Sequence, residues 1–193
     1  MIAGIAGALP AILFVVLFRF YRIPVESMEN TLLKGDYIGV LSVGFSKPMR
    51  GDVIIFPYPP NPAQTFVKRV VGISGDRIHI VDKKVFVNGT AVDEQYAIYK
   101  LSSRIVRPDF PEKIPEDISQ GIQMLKNSIV NGEVVVPPNS YFVLGDNRDN
   151  SLVSRYWGFV PSESVKGHPL FIYWSVGEDG MGIRWNRVLS GIH

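Results

Sequence analysis

Met1 to Phe18, MIAGIAGALPAILFVVLF, is a run of apolar residues without a charge or a hydroxyl. As a helix it spans roughly 27 Å, close to the ~30 Å of a bilayer's hydrocarbon core. Phe20 and Tyr21 then suit the interface, and Arg19 and Arg22 the headgroups. Pro10 is tolerated in a membrane helix more readily than in a soluble one. A cleaved signal peptide would carry a basic start and small residues after its apolar stretch. FRFYR follows here instead, which predicts a retained transmembrane anchor over residues 1–21.

Beyond Tyr21 the pattern turns to short apolar runs bounded by Gly and Pro, the mark of β structure. Strands are predicted within 36–45, 51–58, 65–73, 132–145 and 168–176. Residues 76–92 read as a hairpin turning near Asp82–Lys83, with a second turn at Asn88–Gly89. Residues 100–132 differ: a Pro-rich polar start gives way to Ile118, Ile122, Leu125 and Ile129 at helical spacing. The expectation is an inserted amphipathic helix packed on the β domain. The fold class is therefore mostly β: an antiparallel sheet domain over 22–193 with a small inserted α-helix, behind one N-terminal transmembrane helix.

Composition changes this picture little. Apolar residues make up 46% and charged residues 20%, enough for a real core. A net charge of +2 and the absence of any zinc-finger, basic-region or RNA-binding pattern give no reason to expect nucleic acid as a partner. With no cysteine, disulfides, thiolate metal sites and a thiol nucleophile are all excluded. His79, His168 and His193 have no metal-ligand spacing, so neither metal nor cofactor is expected. GDNRDNSLVSRYWGFVP, residues 145–161, fails as a calcium loop: counted from Asp146, its third and sixth positions are Arg148 and Ser151. Its density of Asp, Asn, Arg and Ser fits a preorganised polar network.

Serine and lysine remain as candidates for chemistry. A serine hydroxyl needs a base, and a lysine can be that base only when burial disfavours its ammonium form. In TFVKRVVG, period-two alternation puts Phe66, Lys68 and Val70 on one face. Lys68 is then either desolvated between apolar neighbours or stretched to water at a sheet edge. Ser27, in RIPVESMENTL, is either a nucleophile or a turn residue at the exit from the anchor.

Three stretches in order behind an anchor, IPVESMENTLLKGD, FVKRVVGISGD and GDNRDNSLVSRYWGFVP, resemble bacterial type I signal peptidases, membrane-bound serine endopeptidases that cut signal peptides from exported pre-proteins. The likeness runs over residues 10–190 and is weakest in a variable insertion at about 95–132. It implies that Ser27 is the nucleophile, Lys68 the general base, and Ser151 the serine that orients the lysine. Asp146, Asn147, Arg148 and Arg155 fall in the polar motif. Ile23, Pro24, Met28, Leu32, Ile38, Phe66 and Val67 match the positions that line pockets for small residues at −1 and −3. The implied partners are pre-proteins and the lipid bilayer; the implied place is the bacterial cytoplasmic membrane, single-pass, with the catalytic domain outside the cytoplasm. Arg19 and Arg22 oppose that topology by the positive-inside rule.

Two positions depart from the family pattern. Val25 stands where a serine often completes the oxyanion hole, and Val153 where an aspartate usually pairs with the arginine two residues on. Both leave a second reading open, a non-catalytic membrane-anchored relative. A self-cleaving repressor, with similar Ser-Lys chemistry, would need a DNA-binding domain where this chain has the apolar run.

Overall fold

The computed structural model describes residues 17–100, 109–112, 120–177 and 180–193. The apolar run up to residue 16 and Ile118 lie outside them. Strands are numbered in chain order, and they form three antiparallel sheets. The first has the order β1 (Phe18–Arg22), β2 (Asp36–Leu41), β12 (His168–Ser175), β13 (Ser190–Gly191). The second runs β11 (Val160–Pro161), β10 (Ser140–Leu144), β4 (Asn61–Gly72), β3 (Val53–Tyr58). The third runs β7 (Thr90–Ala91), β6 (Lys84–Val87), β5 (Arg77–Val81), β9 (Glu133–Val135), β8 (Ile129–Val130).

The second sheet lies between apolar cores, which explains its unbroken apolar sequences. In β3, Val53 and Ile55 enter one core with Ile23, Met28, Leu32 and Ile38. Ile54 and Phe56 enter another, with Val70, Val143 and Trp157. In β10, Phe142 and Leu144 join a third core with Ile78, Val134 and Val153, while Tyr141 and Val143 face the second. A strand covered on both faces loses the alternation that marks a half-exposed one.

The two turns of the third sheet follow the sequence. Asp82 and Lys83 adopt φ of 47° and 66°, and Asn88 and Gly89 φ of 53° and 78°. Such paired left-handed residues match the twist of a two-residue hairpin. The inserted helix forms over Gln120–Asn127 and buries Ile122 and Leu125 in the third core. Ile129, expected on its stripe, starts β8 instead, because Asn131 and Gly132 turn the chain into a β8–β9 hairpin.

One boundary moves. Residues 18–21, expected at the end of the anchor, form β1 and pair with β2 from Phe18↔Leu41 to Arg22↔Tyr37. Alternating aromatic and basic residues satisfy a strand edge as well as a membrane interface, and the backbone bonds to β2 decide the matter. Among the described residues, no helix is long and apolar enough to cross a membrane.

Candidate active site

Ser27 lies in the turn that follows β1. The Glu29 N–H donates to the Glu26 carbonyl at 3.0 Å, which makes Ser27 the second residue of that turn. The Leu32 N–H closes the next turn on the Met28 carbonyl at 2.7 Å. Ser27 is thus a turn residue and also faces a possible base. Its Oγ lies 2.7 Å from Lys68 Nζ, which comes from the middle of β4.

The alternation expected for β4 is realised. Phe66 and Val70 share one core, and Lys68 between them is 3% exposed. Its Nζ donates to the Val67 carbonyl at 3.1 Å and sits 5.1 Å from the centre of the Phe66 ring. Burial pushes the ammonium pKa down to about 7, against a smaller upward pull from Asp146. A neutral amine at this position can accept the Ser27 hydroxyl proton.

An arginine next to the lysine arranges the rest of the site. Arg69 Nε and Nη2 grip both oxygens of Asp146 at 2.9 and 2.7 Å, with both side chains buried. The Thr31 hydroxyl donates to Asp146 Oδ2 at 2.5 Å and accepts from Arg69 Nη2 at 3.1 Å. Arg69 also donates to the carbonyls of Gly51 and His193, at 2.6 and 3.0 Å. The polar loop meets the serine directly, since the Asn147 N–H donates to the Ser27 carbonyl at 3.2 Å. Gly145 fits between the Ser27 carbonyl and Ser151 Oγ, where a Cβ would overlap both.

The structure therefore brings together Ser27, Lys68, Asp146, Asn147 and Ser151. The Ser151 hydroxyl is buried with no hydrogen-bond partner among the described residues, so the lysine–serine contact expected of it is not formed here. Arg148 is held in a buried ion pair with Glu94. Arg155 donates to the Arg148 carbonyl at 3.3 Å and rests against the Tyr156 ring. Asp146 is held by Arg69, and Asp149 lies 3.3 Å from Lys83 Nζ. Val153 is core.

A cleft of about 820 Å³ opens over the serine and the lysine. Ile23, Pro24, Met28, Phe66 and Val67 line it as expected. Leu32 and Ile38 do not: both are 0% exposed in the core beneath. An apolar residue beside a cleft and one supporting it look alike in sequence. The cleft also takes in Tyr21, Gln64, Thr65, Asn150 and Leu152. Val25 lies on its rim, 56% exposed, and offers no side-chain donor. Arg69, Thr31 and Glu94 escaped the sequence reading, since each has its partner far along the chain. Among the described residues there is no cluster of three or more metal-ligating side chains.

A family model described as "Signal peptidase, peptidase S26" matches residues 1–174. Signal peptidase I of Aquifex aeolicus (strain VF5) is 36% identical, across 86% of this chain and 80% of its own. Signal peptidase I of Bacillus caldolyticus is also 36% identical, across 88% of this chain and 87% of its own. A solved signal peptidase I from Enterococcus faecalis V583 is 36% identical, covering 65% of this chain and 98% of that one, with a TM-score of 0.45.

Proposed function

The chain belongs to the signal peptidase family, peptidase S26, as a serine endopeptidase of the signal peptidase I type, and we propose that it removes signal peptides from exported pre-proteins with Ser27 as nucleophile and Lys68 as general base. The observation that carries the dyad is a buried lysine amine, its pKa brought to about 7, lying 2.7 Å from a serine hydroxyl in an open cleft.

In this mechanism neutral Lys68 takes the proton of Ser27 Oγ as the oxygen attacks the carbonyl of the residue at −1. The tetrahedral intermediate collapses as Lys68 delivers that proton to the leaving amine, and the mature protein departs. Lys68 then draws a proton from water, which attacks the ester, and returns that proton to Ser27 Oγ as the ester bond breaks and the signal peptide leaves. The Ser27 N–H is a donor for the oxyanion. Val25 adds none, and Tyr21, Arg22, Lys34, Gln64, Thr65 and Asn150 are the cleft side chains besides the dyad able to donate. Ile23, Met28, Phe66 and Val67 favour small apolar side chains at −1 and −3, as in an Ala-x-Ala site.

Membrane attachment belongs to the same proposal. The apolar stretch up to residue 16 leads into β1, beside the cleft residues Tyr21 and Arg22. The first sheet carries the aromatic pairs Phe18–Phe171 and Phe20–Tyr173, and its Trp174 meets Trp185 from the turn between β12 and β13. Trp185 and Leu189 are 69% and 76% exposed. Amphipathic aromatics of this kind suit the headgroup layer of the membrane on which precursors emerge, with the catalytic domain outside the cytoplasm.

The test is cleavage of a pre-protein whose signal ends in Ala-x-Ala, by the detergent-solubilised native chain beside Ser27→Ala and Lys68→Ala. The native chain is expected to cut after the second alanine and both variants to be inactive while folded. Failure of all three, folded, would favour the non-catalytic relative.

A further inference from the structure

Residues 93–100, DEQYAIYK, begin the stretch where the family likeness is weakest, yet they strap the back of the candidate site. Glu94 forks onto the Arg148 guanidinium, with Nη1 donating to Oε2 at 2.6 Å and Nη2 to Oε1, both side chains buried. The Ile98 N–H donates to the Asp146 carbonyl at 2.8 Å, and the Arg148 N–H donates to the Ile98 carbonyl at 3.0 Å. The strap also reaches the residues just after the serine. Asn30 Nδ2 donates to the Tyr96 carbonyl at 3.0 Å, and Lys100 pairs with Glu29 at 2.6 Å. Glu29 in turn accepts from Asn147 Nδ2 at 3.3 Å.

Tyr96 is the centre of this strap. Its ring lies 4.0 Å from the Arg69 guanidinium carbon and 5.9 Å from that of Arg148. Arg69 follows Lys68 in β4 and grips Asp146, whose charge reaches the lysine. A ring face over a buried guanidinium fixes its plane, and a two-pronged grip on a carboxylate requires that plane.

We propose that Tyr96 is a positioning residue for the Ser27–Lys68 pair, its ring holding Arg69 on Asp146 so that the Asp146 charge is spent on arginine rather than on lysine. The proposal rests on the dyad reading above. The charged groups around Lys68 are Asp146 and Arg69, with Arg148 and Glu94 beyond them and Arg22, Glu26 and Lys34 on the cleft. Without the ring, Asp146 acts more strongly on Lys68 and water reaches the pair. Both changes favour the ammonium form and so raise the lysine's pKa. The tyrosine hydroxyl has no part in this, since burial holds its pKa up at about 12.

The test is the pH dependence of kcat/KM for cleavage of an Ala-x-Ala pre-protein by Tyr96→Leu and Tyr96→Phe beside the native chain and Lys68→Ala. In Tyr96→Leu the acidic limb is expected to move up by about half a pH unit or more and kcat near pH 7 to fall about twofold or more, with KM unchanged. Tyr96→Phe is expected to restore the native limb. A merely structural residue would lower the melting temperature and leave the limb in place. A native limb in folded Tyr96→Leu, with Lys68→Ala inactive, would overturn the role of Tyr96 alone. Activity in Lys68→Ala would remove the dyad and this proposal with it. If Tyr96→Leu does not fold, Tyr96→Met refills the space without a ring face and takes its place. Failure of both to fold would make Tyr96 a residue of the fold and overturn the proposal.

Discussion

An amine 3% exposed with a pKa near 7 carries a stability cost in the protein that holds it. The unfolded chain protonates Lys68 below about pH 10.5 and the folded chain only below about 7. Between those values the unfolded state binds more protons, so folding stability rises with pH across that window. Lys68→Met, similar in length and without charge, is expected to stabilise the fold at pH 7 by ~4 kcal/mol. The gain should fade as pH approaches 10.5, the ordinary value for lysine. Denaturant unfolding of both chains at the two ends of the window measures it. An equal gain at both ends would mean that packing, not charge, separates them. Lys68 was legible because alternation in β4 placed it between Phe66 and Val70. Arg69 was not. An arginine on the other face of a strand predicts solvent, and its partner Asp146 is 77 positions away. Val153 was legible as a departure, but its place in the core beside Ile78 and Val134 was not, since that depends on how the loop packs.

At the scale of elements, the polar loop at 145–150 and the turn at 26–32 work as one unit. Gly145 is the point of contact, with the Ser27 carbonyl on one side and Ser151 Oγ on the other. Gly145→Ala should push the loop off the serine and lower kcat/KM by about 10² or more, the usual consequence of a ~1 Å displacement at a reacting centre. Native kinetics in that variant would show that the loop can move without cost. Local chemistry made the hairpins and the helix over 120–127 readable: paired residues suited to positive φ, and apolar spacing at Ile122 and Leu125. The strap at 93–100 gave no such signal, because it follows no strand or helix period and its partners are distant. Strand β1 was misread for a different reason, since FRFYR satisfies an interface and a strand edge equally.

For the whole molecule, the cores on either face of β3 and β10 make a rigid body, and the cleft opens beside β1 and β4. Phe18 and Phe20 of β1, the strand that follows the apolar N-terminal stretch in sequence, pair with Phe171 and Tyr173 of β12. Replacing Trp185 and Leu189 with serine should weaken binding of the domain without residues 1–17 to anionic vesicles at least severalfold, with peptide cleavage in solution preserved. Unchanged vesicle binding would leave attachment to the N-terminal stretch alone. The mostly-β class and the position of the serine and lysine were open to sequence reasoning. The division into three sheets and the depth of Leu32 and Ile38 below the cleft were not, because both depend on how strands pack rather than on their own pattern.

The central claim is that a neutral Lys68 activates Ser27. The most direct measurement is kcat/KM for an Ala-x-Ala pre-protein as a function of pH, on the native chain and Lys68→Ala. A neutral Lys68 acting as base predicts an acidic limb with its midpoint near the lysine's value of about 7, and no cleavage by Lys68→Ala at any pH. A rate independent of pH between about 5 and 9, or cleavage by Lys68→Ala at the native rate, would contradict it.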